Sequence, residues 1–257
     1  MKQYLLAFMS PEMNGTILDD IKFILYLIYL FLMLIGILGN SPNIGYWCKN
    51  HVCDSIVNTN FQDGTEERNF YNISSITQFW KFAETVMIDN IYGKSENDTH
   101  QTLVLQDSKL VRVPRLRQVR VRKDSCVVNQ SSCYELYSRW YEDTKPFGPG
   151  NGTAWTYSTA EELGGSSHWG RWSTYGGGGY YEDLSLNRSE AIEKLLILKN
   201  NHWITGRTRA IFLDLIVYNS NVDAIFTVKL ILGSLSRRDR WEDLDVDARI
   251  MSGRIHG

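Results

Sequence analysis

The residues of this chain with the clearest chemistry are asparagines in Asn-x-Ser/Thr triplets. Five such triplets without a middle proline follow residue 40, and they begin at Asn72, Asn97, Asn129, Asn151 and Asn187. These triplets accept N-linked glycans in proteins that enter the secretory pathway. They therefore predict a glycoprotein whose long C-terminal part faces the lumen and then the outside of the cell.

The four cysteines fall into two pairs that are close in sequence, Cys48 with Cys53 and Cys126 with Cys133. Such pairs form disulfides in an oxidising compartment, which the glycan acceptors favour independently, and buried thiols are the alternative. Neither pair has the spacing of a zinc site, and the five histidines are scattered along the chain. We therefore predict no metal site.

No residue pattern predicts catalysis. The run Gly176–Gly179 has the glycine content of a phosphate-binding loop, but no Gly-Lys-Ser/Thr follows it and no apolar strand precedes it. The neighbouring acids Glu161 and Glu162 are expected to be solvated loop charges, and no nucleophile elbow is present. Asp243–Asp247 imitates the opening of a calcium loop but lacks its turn glycine. We predict that the chain is not an enzyme and needs no cofactor.

Composition limits the partners that the chain can have. Its 257 residues are 43% hydrophobic, which is enough to bury a core, and its formal net charge is -2. This charge gives no electrostatic reason to expect a nucleic acid as partner. We therefore predict no nucleic-acid partner, and the expected partners are other protein subunits and the lipid bilayer.

A continuous apolar run, Ile21–Gly39, lies near the start of the chain and contains one charge, Lys22. As a helix it nearly crosses a hydrocarbon core of roughly 30 Å. A cleaved signal peptide is the alternative, but the run starts late and lacks an Ala-x-Ala exit. We predict a transmembrane helix over residues 21–39, a cytoplasmic N-terminus over 1–20 and an irregular extracellular neck over 40–70.

Two helices and a hairpin are expected in the remaining chain. Ser74–Tyr92 has apolar residues at three- and four-residue spacing, and Ser185–Asn200 has an apolar side formed by leucines. Thr208–Tyr218 and Val222–Leu232 read as paired strands across a polar turn. These elements predict an α+β domain with a mostly antiparallel sheet and flanking helices.

The two helices have candidate caps in the sequence. Ser75 or Thr77 can accept a hydrogen bond at the start of the first helix, and Ser185 or Asn187 can do so at the start of the second.

The most basic stretch is Val111–Lys123. Its alternation breaks at Pro114 and again at Gln118, which predicts two short strands or one bulged strand. Its arginines are expected to lie on a solvated face or to pair with acids elsewhere in the domain. Binding of lipid headgroups or acidic glycans is the alternative function of this stretch.

Residues Pro146–Leu184 form a long segment rich in glycine, tryptophan and tyrosine. Because Trp and Tyr are enriched at protein interfaces, we expect this loop to pack on a neighbouring subunit. The final segment, residues 233–257, is charged and polar, and we predict that it is disordered.

Taken in order, these segments resemble the extracellular domain of the polycystin cation channels, relatives of the TRP channels. The resemblance covers roughly residues 70 to 232 and is closest to the channel-forming branch of the family. The matching stretches are Ile76–Phe82, Val113–Arg122, Pro146–Gly148, Asn151–Trp155, Ser166–Gly170, Gly179–Tyr181, Asp183 with Leu184, Asn201–Trp203, Thr208 with Arg209, and Val217–Asn221.

The resemblance implies that residues 71–232 are a polycystin domain, an assembly and gating-support unit of a calcium-permeable channel that forms homo- or heterotetramers with other polycystin subunits. It also implies a Cys126–Cys133 disulfide beside a loop that contacts the neighbouring copy. The implied contact residues of that loop are Trp155, Tyr157, His168, Trp169, Tyr180 and Tyr181.

The membrane expected for such a protein is the plasma membrane, the cilium or the endoplasmic reticulum. No second apolar run follows Leu232, so we expect that the pore helices are absent and that the chain itself cannot conduct. A short form that regulates full-length subunits is one alternative. The other is a single-span surface glycoprotein that acts in adhesion or ligand binding.

Overall fold

The computed structural model describes residues 11–39, 50–51, 53–93, 103–104, 108–123, 125, 134–170, 173–221, 223–234 and 241–251. The chain divides into two compact units, Met1–Ile44 and Gly45–Gly257. The described elements in chain order are α1 Pro11–Gly39, a π-helical turn Cys53–Val57, β1 Phe61–Asp63, β2 Glu66–Arg68, a 3₁₀ turn Phe70–Asn72, α2 Ile76–Phe82, a π-helical turn Ala83–Met87, α3 Ile88–Tyr92, β3 Leu103–Val104, β4 Ser108–Leu110, β5 Arg115–Arg120, α4 Ala160–Leu163, β6 His168–Trp169, β7 Thr174–Tyr175, β8 Tyr180–Asp183, α5 Arg188–Asn200, β9 Thr208–Asn219, β10 Ala224–Ser234 and β11 Trp241–Met251.

The first unit contains α1, which begins at Pro11 rather than at the predicted Ile21. Its large apolar side chains from Ile21 to Ile35 are 44–62% exposed. Over the stretches of chain that the structure describes, no helix has both the length and the apolar character needed to cross a membrane.

An antiparallel sheet of seven described strands forms the centre of the second unit. β9 lies in its middle and pairs with β10, from Ala210 opposite Gly233 to Asn219 opposite Ala224. The other edge of β9 is shared, because β5 pairs with its first half and β4 with its end. β11 extends the sheet beyond β10, and β8 extends it beyond β5. The predicted α+β class and the predicted hairpin are confirmed.

The two faces of the sheet are covered by different parts of the second unit. Apolar side chains of β5, β9 and β10 meet the helical segment on one face, where the residues around a gap of about 10 Å³ are Phe70, Phe79, Phe82, Met87, Leu116, Ile211, Leu213, Leu230 and Leu232. On the other face, two tyrosines pack on the strands, and the cluster contains Val119, Val121, Tyr137, Tyr175, Ala210, Phe212 and Ile231. Each fully buried apolar side chain contributes roughly 1.5–3 kcal/mol.

The helix predicted over Ser74–Tyr92 runs from Ile76 to Tyr92, with α2 and α3 joined by the π-helical turn. Ser75, one of the two predicted caps, has an extended backbone, and its side chain accepts a hydrogen bond from the Gln78 N–H. The π turn contains more residues per turn than an α-helix, so it changes which side chains of the second half face inward. Both halves therefore keep apolar side chains in the core.

The helix predicted over Ser185–Asn200 is α5, and it begins at Arg188 because Asn187 caps it. The Asn187 side chain accepts a hydrogen bond from the Ser189 N–H at 2.9 Å. Near the end of α5, the Lys199 ammonium lies 2.6 Å from the Glu84 carboxylate of the π turn. The two helical segments are therefore held together on the same face of the sheet.

The predicted irregular neck, residues 40–70, contains regular structure. The π-helical turn Cys53–Val57 and the β1–β2 hairpin both lie within it. Ile56 is fully buried, and the Phe61 ring lies 6.1 Å from the ring of Phe82. These apolar contacts pack the segment against the helix that follows it, and the domain boundary at residue 71 stays a prediction.

The tail predicted to be disordered, residues 233–257, contains β11. Its backbone pairs with β10 over most of the strand, with Leu244 opposite Leu232. Its apolar residues alternate with charged ones over Leu244–Ile250, which is the period of a strand. The high charge of the segment is what suggested disorder. An edge strand tolerates charged side chains, because backbone hydrogen bonds to the neighbouring strand hold it in the sheet.

Several predicted residues lie outside the described part of the chain. They are Cys48, Cys126, Cys133, Asn97 and Asn129. Both disulfide pairings therefore stay predictions.

Candidate functional site

Arg117, in β5, holds the glycine-rich part of the loop that spans residues 146–184. Its side chain is buried, and Nη1 donates to the Gly176 carbonyl at 2.9 Å and to the Gly178 carbonyl at 2.6 Å. The guanidinium carbon lies 3.8 Å from the centre of the Phe212 ring. Burial lowers the pKa of Arg117, and the negative charge of Asp214 acts against this. Carbonyl acceptors and an aromatic face thus replace the water that the cation loses.

Close backbone packing explains the glycine run Gly176–Gly179. A Cβ on Gly177 would lie 2.2 Å from the Gly165 carbonyl oxygen. Gly179 has a φ of +143°, and a Cβ there would lie 2.4 Å from the Gln118 carbonyl oxygen. The run brings the loop backbone against β5 and against itself, which is a structural role rather than a phosphate-binding one.

Arg120 organises the aromatic part of the same loop. Its guanidinium carbon lies 3.5 Å from the centre of the Phe147 ring, and burial lowers its pKa to about 10. The Phe147 ring contacts Trp155 and Tyr180 edge-on, at centroid distances of 5.1 and 4.9 Å. A Cβ on Gly148 would lie 2.3 Å from the Trp155 ring. Three aromatic rings and one cation therefore form a single packed stack.

A carboxyl group lies between two phenols beside Arg117. Burial raises the pKa of Glu142, and hydrogen bonds from Tyr137 and Tyr157 act against this. Burial, with the nearby Glu142 charge, raises the pKa of Tyr157 to about 12. The Tyr137 hydroxyl accepts a hydrogen bond from the Gly176 N–H at 2.9 Å. This cluster fixes the segment 134–143 against the start of the glycine run.

Arg115 binds the end of the loop. Its Nε and Nη2 donate to the two oxygens of Asp183 at 2.6 and 2.8 Å. The hydrogen bond to Asp183 raises the pKa of Arg115. The guanidinium also lies 4.4 Å from the centre of the Tyr181 ring. The expectation that the arginines of this stretch pair with acids holds for Arg115, whereas Arg117 and Arg120 are buried against carbonyls and rings.

The structure separates the six predicted contact residues into three groups. Trp155 and Tyr180 are buried within the chain, and Tyr180 donates to the backbone carbonyls of Asp143 and Lys145. Tyr157, His168 and Tyr181 are half-buried. Trp169 is 85% exposed on the short β6–β7 hairpin. Contact with a neighbouring subunit stays a prediction for all six, and Trp169 presents the most surface for it.

Trp140 is an exposed aromatic residue that the sequence did not single out. It is 87% exposed, on the segment that leads into the loop. Polar and charged residues surround it in sequence, so neither periodicity nor composition marks it as unusual.

Three predicted glycan acceptors lie in the described residues and are exposed. They are Asn72, Asn151 and Asn187. Asn72 ends the 3₁₀ turn, Asn151 lies in the loop, and Asn187 caps α5. Their exposure is what glycosylation requires, and modification stays a prediction at each.

Among the residues that the structure describes, no group of three or more His, Cys, Asp or Glu side chains could hold a metal ion. The ionisable groups around the loop are engaged in packing and hydrogen bonds with one another. These contacts hold the loop against the sheet and leave the β6–β7 hairpin, with Trp169, exposed to solvent.

The family described as Polycystin domain matches residues 69–240 of this chain. Polycystin-2 of Danio rerio is 40% identical over 229 residues, which are 84% of this chain and 25% of that protein. Polycystin-2-like protein 1 of Homo sapiens is 36% identical over 84% of this chain and 28% of its own length. Polycystin-2-like protein 2 of Homo sapiens is 34% identical over 86% of this chain and 36% of its own length.

The chain thus spans between a quarter and about a third of the length of these relatives. The predicted resemblance is confirmed. The prediction that the chain is not an enzyme is also confirmed, because the polycystin family is not a family of enzymes. With a family match over most of the second unit and identities of 34–40% across most of the chain, this chain belongs to the polycystin family.

Proposed function

We propose that this chain is a subunit of a polycystin-type cation channel and that its second unit is an extracellular or luminal assembly domain that supports gating. The observation that carries the proposal is the match to the polycystin domain over residues 69–240. The buried arginines and aromatic stacks of the loop support it, since a rigid loop can transmit force or hold a neighbour without local unfolding.

The proposal includes the membrane helix that the sequence predicts over residues 21–39, although no helix in the described part of the chain meets the length and apolar character for crossing a membrane. It is supported by the uninterrupted apolar sequence after Lys22 and by the exposure of the large apolar side chains from Ile21 to Ile35. Apolar side chains on every side of a helix need an apolar environment. The exposed glycan acceptors Asn72 and Asn187 support a luminal second unit.

Sealed microsomes test this topology. We expect added protease to leave the second unit intact and glycosidase to increase its electrophoretic mobility after the membranes are dissolved. Digestion of the second unit in sealed microsomes, with no effect of glycosidase, would show the opposite orientation.

For assembly, we propose that the β6–β7 hairpin contacts a neighbouring polycystin subunit through Trp169. The hairpin is fixed at its base, where His168 pairs with Tyr175 and the Tyr175 ring lies 5.9 Å from the ring of Phe212. A large aromatic side chain on a rigid base is typical of residues that dominate interface energies.

Co-purification with full-length zebrafish polycystin-2 tests the contact. We expect the chain to co-purify, Trp169→Ala to lower the yield of the complex and Trp140→Ala to leave it unchanged. The two tryptophans are matched in exposure, at 85% and 87%. Equal losses for both variants, or no co-purification of the parent chain, would contradict the proposed contact.

Gating support is tested in the same cells by electrophysiology. We expect co-expression of the parent chain to change the currents of the full-length relative, and Trp169→Ala to remove that change. Unaltered currents alongside confirmed co-purification would limit the function to assembly.

A further inference from the structure

A basic cleft lies where β5 ends, on a part of the second unit that the proposed subunit contact does not use. It is open to solvent and has a volume of about 500 Å³. The residues that line it are Arg122, Lys123, Asp143, Lys145 and Arg207. Four cations and one carboxylate thus face a shared space.

The backbone under the cleft is fixed by hydrogen bonds. The Val121 N–H donates to the Arg207 carbonyl at 2.9 Å, and the Arg122 N–H donates to the Tyr141 carbonyl at 2.8 Å. The Asp143 N–H donates to the Arg120 carbonyl at 2.9 Å. The lining side chains are therefore carried by three chain segments that are bonded to one another, as a built site requires.

The only carboxylate among the lining residues, that of Asp143, forms an ion pair with Arg207. Arg207 Nη2 lies 2.5 Å from Asp143 Oδ2, and the Asp143 side chain is 4% exposed. Arg207 Nε also donates to the Val121 carbonyl at 3.1 Å. Because Arg207 offsets the charge of Asp143, the excess positive charge of the cleft belongs to the exposed cations at its mouth.

Those cations are Arg122, Lys123 and Lys145, all exposed. Arg122 donates one hydrogen bond to the Trp140 carbonyl at 2.9 Å. Within the described part of the chain, the Lys123 and Lys145 ammonium groups take part in no hydrogen bond or ion pair. Their charge is thus available to an anion from solution.

We propose that this cleft binds an anionic saccharide, with a sulfate or carboxylate of the sugar at the three cations of the mouth. The ring hydroxyls would donate to Asp143, whose two oxygens each accept one hydrogen bond from the chain at present.

The shape of the cleft favours a saccharide over a membrane surface. A lipid phosphate in a membrane is approached from a flat surface, whereas these cations line a cleft together with a buried carboxylate. The Asp143 carboxylate can accept hydrogen bonds from the hydroxyl groups of a sugar, which a fully ionised phosphate group cannot donate.

Isothermal titration calorimetry on the full chain in detergent tests the proposal, with a trisulfated heparin disaccharide as the probe. We expect Lys123→Gln and Lys145→Gln each to raise the dissociation constant by about fivefold. Lys109→Gln, at an exposed lysine of β4 outside the cleft, is the matched control, and we expect no change there. Unchanged thermal unfolding of the three variants shows that each remains folded.

Two further arms decide the class of ligand. We expect the same disaccharide without sulfate groups to bind far more weakly, and vesicles of phosphatidylserine to recruit all four proteins equally. Binding that is equal in Lys109→Gln and Lys123→Gln would overturn the site. Recruitment to vesicles that depends on Lys123 and Lys145, without disaccharide binding, would overturn the saccharide in favour of a membrane.

Discussion

Arg117 and Arg122 belong to the same basic stretch of sequence and have opposite environments. Arg117 is buried in the middle of β5, where two carbonyls and an aromatic ring surround its guanidinium. Arg122, just beyond the strand, is exposed at the mouth of the cleft. The inner part of the stretch therefore stabilises the fold, and the outer part faces solvent, where it can contact a ligand. Residue type alone does not distinguish these roles.

Removing the buried guanidinium has the largest expected effect. We expect Arg117→Met to lower the free energy of unfolding by about 3 kcal/mol, because it removes the donor from the buried Gly178 carbonyl and from the half-buried Gly176 carbonyl. Arg122→Met is the control, and its change is expected to stay within about 0.5 kcal/mol. Urea unfolding of the full chain in detergent measures both, and similar losses would show that the two environments are not energetically different.

Two glycine variants separate the cost of a steric clash from the cost of backbone strain. We expect Gly177→Ala to cost about 2 kcal/mol, because its Cβ would meet the Gly165 carbonyl at 2.2 Å. At Gly150, whose φ is +77° and whose surroundings are open, alanine is expected to cost about 1 kcal/mol from strain alone. A larger loss at Gly150, measured by the same unfolding experiment, would mean that the close approach of the loop is unimportant.

Removing the side chain that caps α5 is expected to lower the free energy of unfolding by a smaller amount. Asn187→Ala is expected to cost about 1 kcal/mol, because the Ser189 N–H loses its acceptor. Asn187→Ser removes the glycan acceptor equally but keeps a capping oxygen, and we expect it to retain most of the stability. Equal losses of stability in both variants would show that the capping hydrogen bond is not what Asn187 contributes.

The smallest expected effect concerns Glu142. Burial raises its pKa above the ordinary value of 4.5, so the folded chain binds this proton more tightly than the unfolded chain. Its contribution to stability is then largest below pH 4.5 and declines as the pH rises through the raised value. We expect Glu142→Gln to remove this decline, and unfolding measured at acidic and neutral pH checks it. An unchanged pH dependence would show that other groups dominate.

Local patterns determined much of the fold. Apolar spacing predicted the helix that ends at Tyr92, and Ser75 and Asn187 were correct cap candidates because a cap depends on a few neighbouring residues. The β9–β10 hairpin followed from two long apolar strands around a polar turn. The tail strand β11 shows the limit, since its alternation was present but its charges suggested disorder.

The sequence by itself determined the family, the secondary structure of the strongest periodic segments and the candidate glycan acceptors, because each depends on residues that are neighbours in the chain. Only the tertiary structure decided which arginines are buried, why the glycines cluster and that Trp155 is buried while Trp169 is exposed. Burial depends on residues that are far apart in sequence and meet only after folding, such as Arg117 with Gly178 and Phe212. No local pattern contains that information.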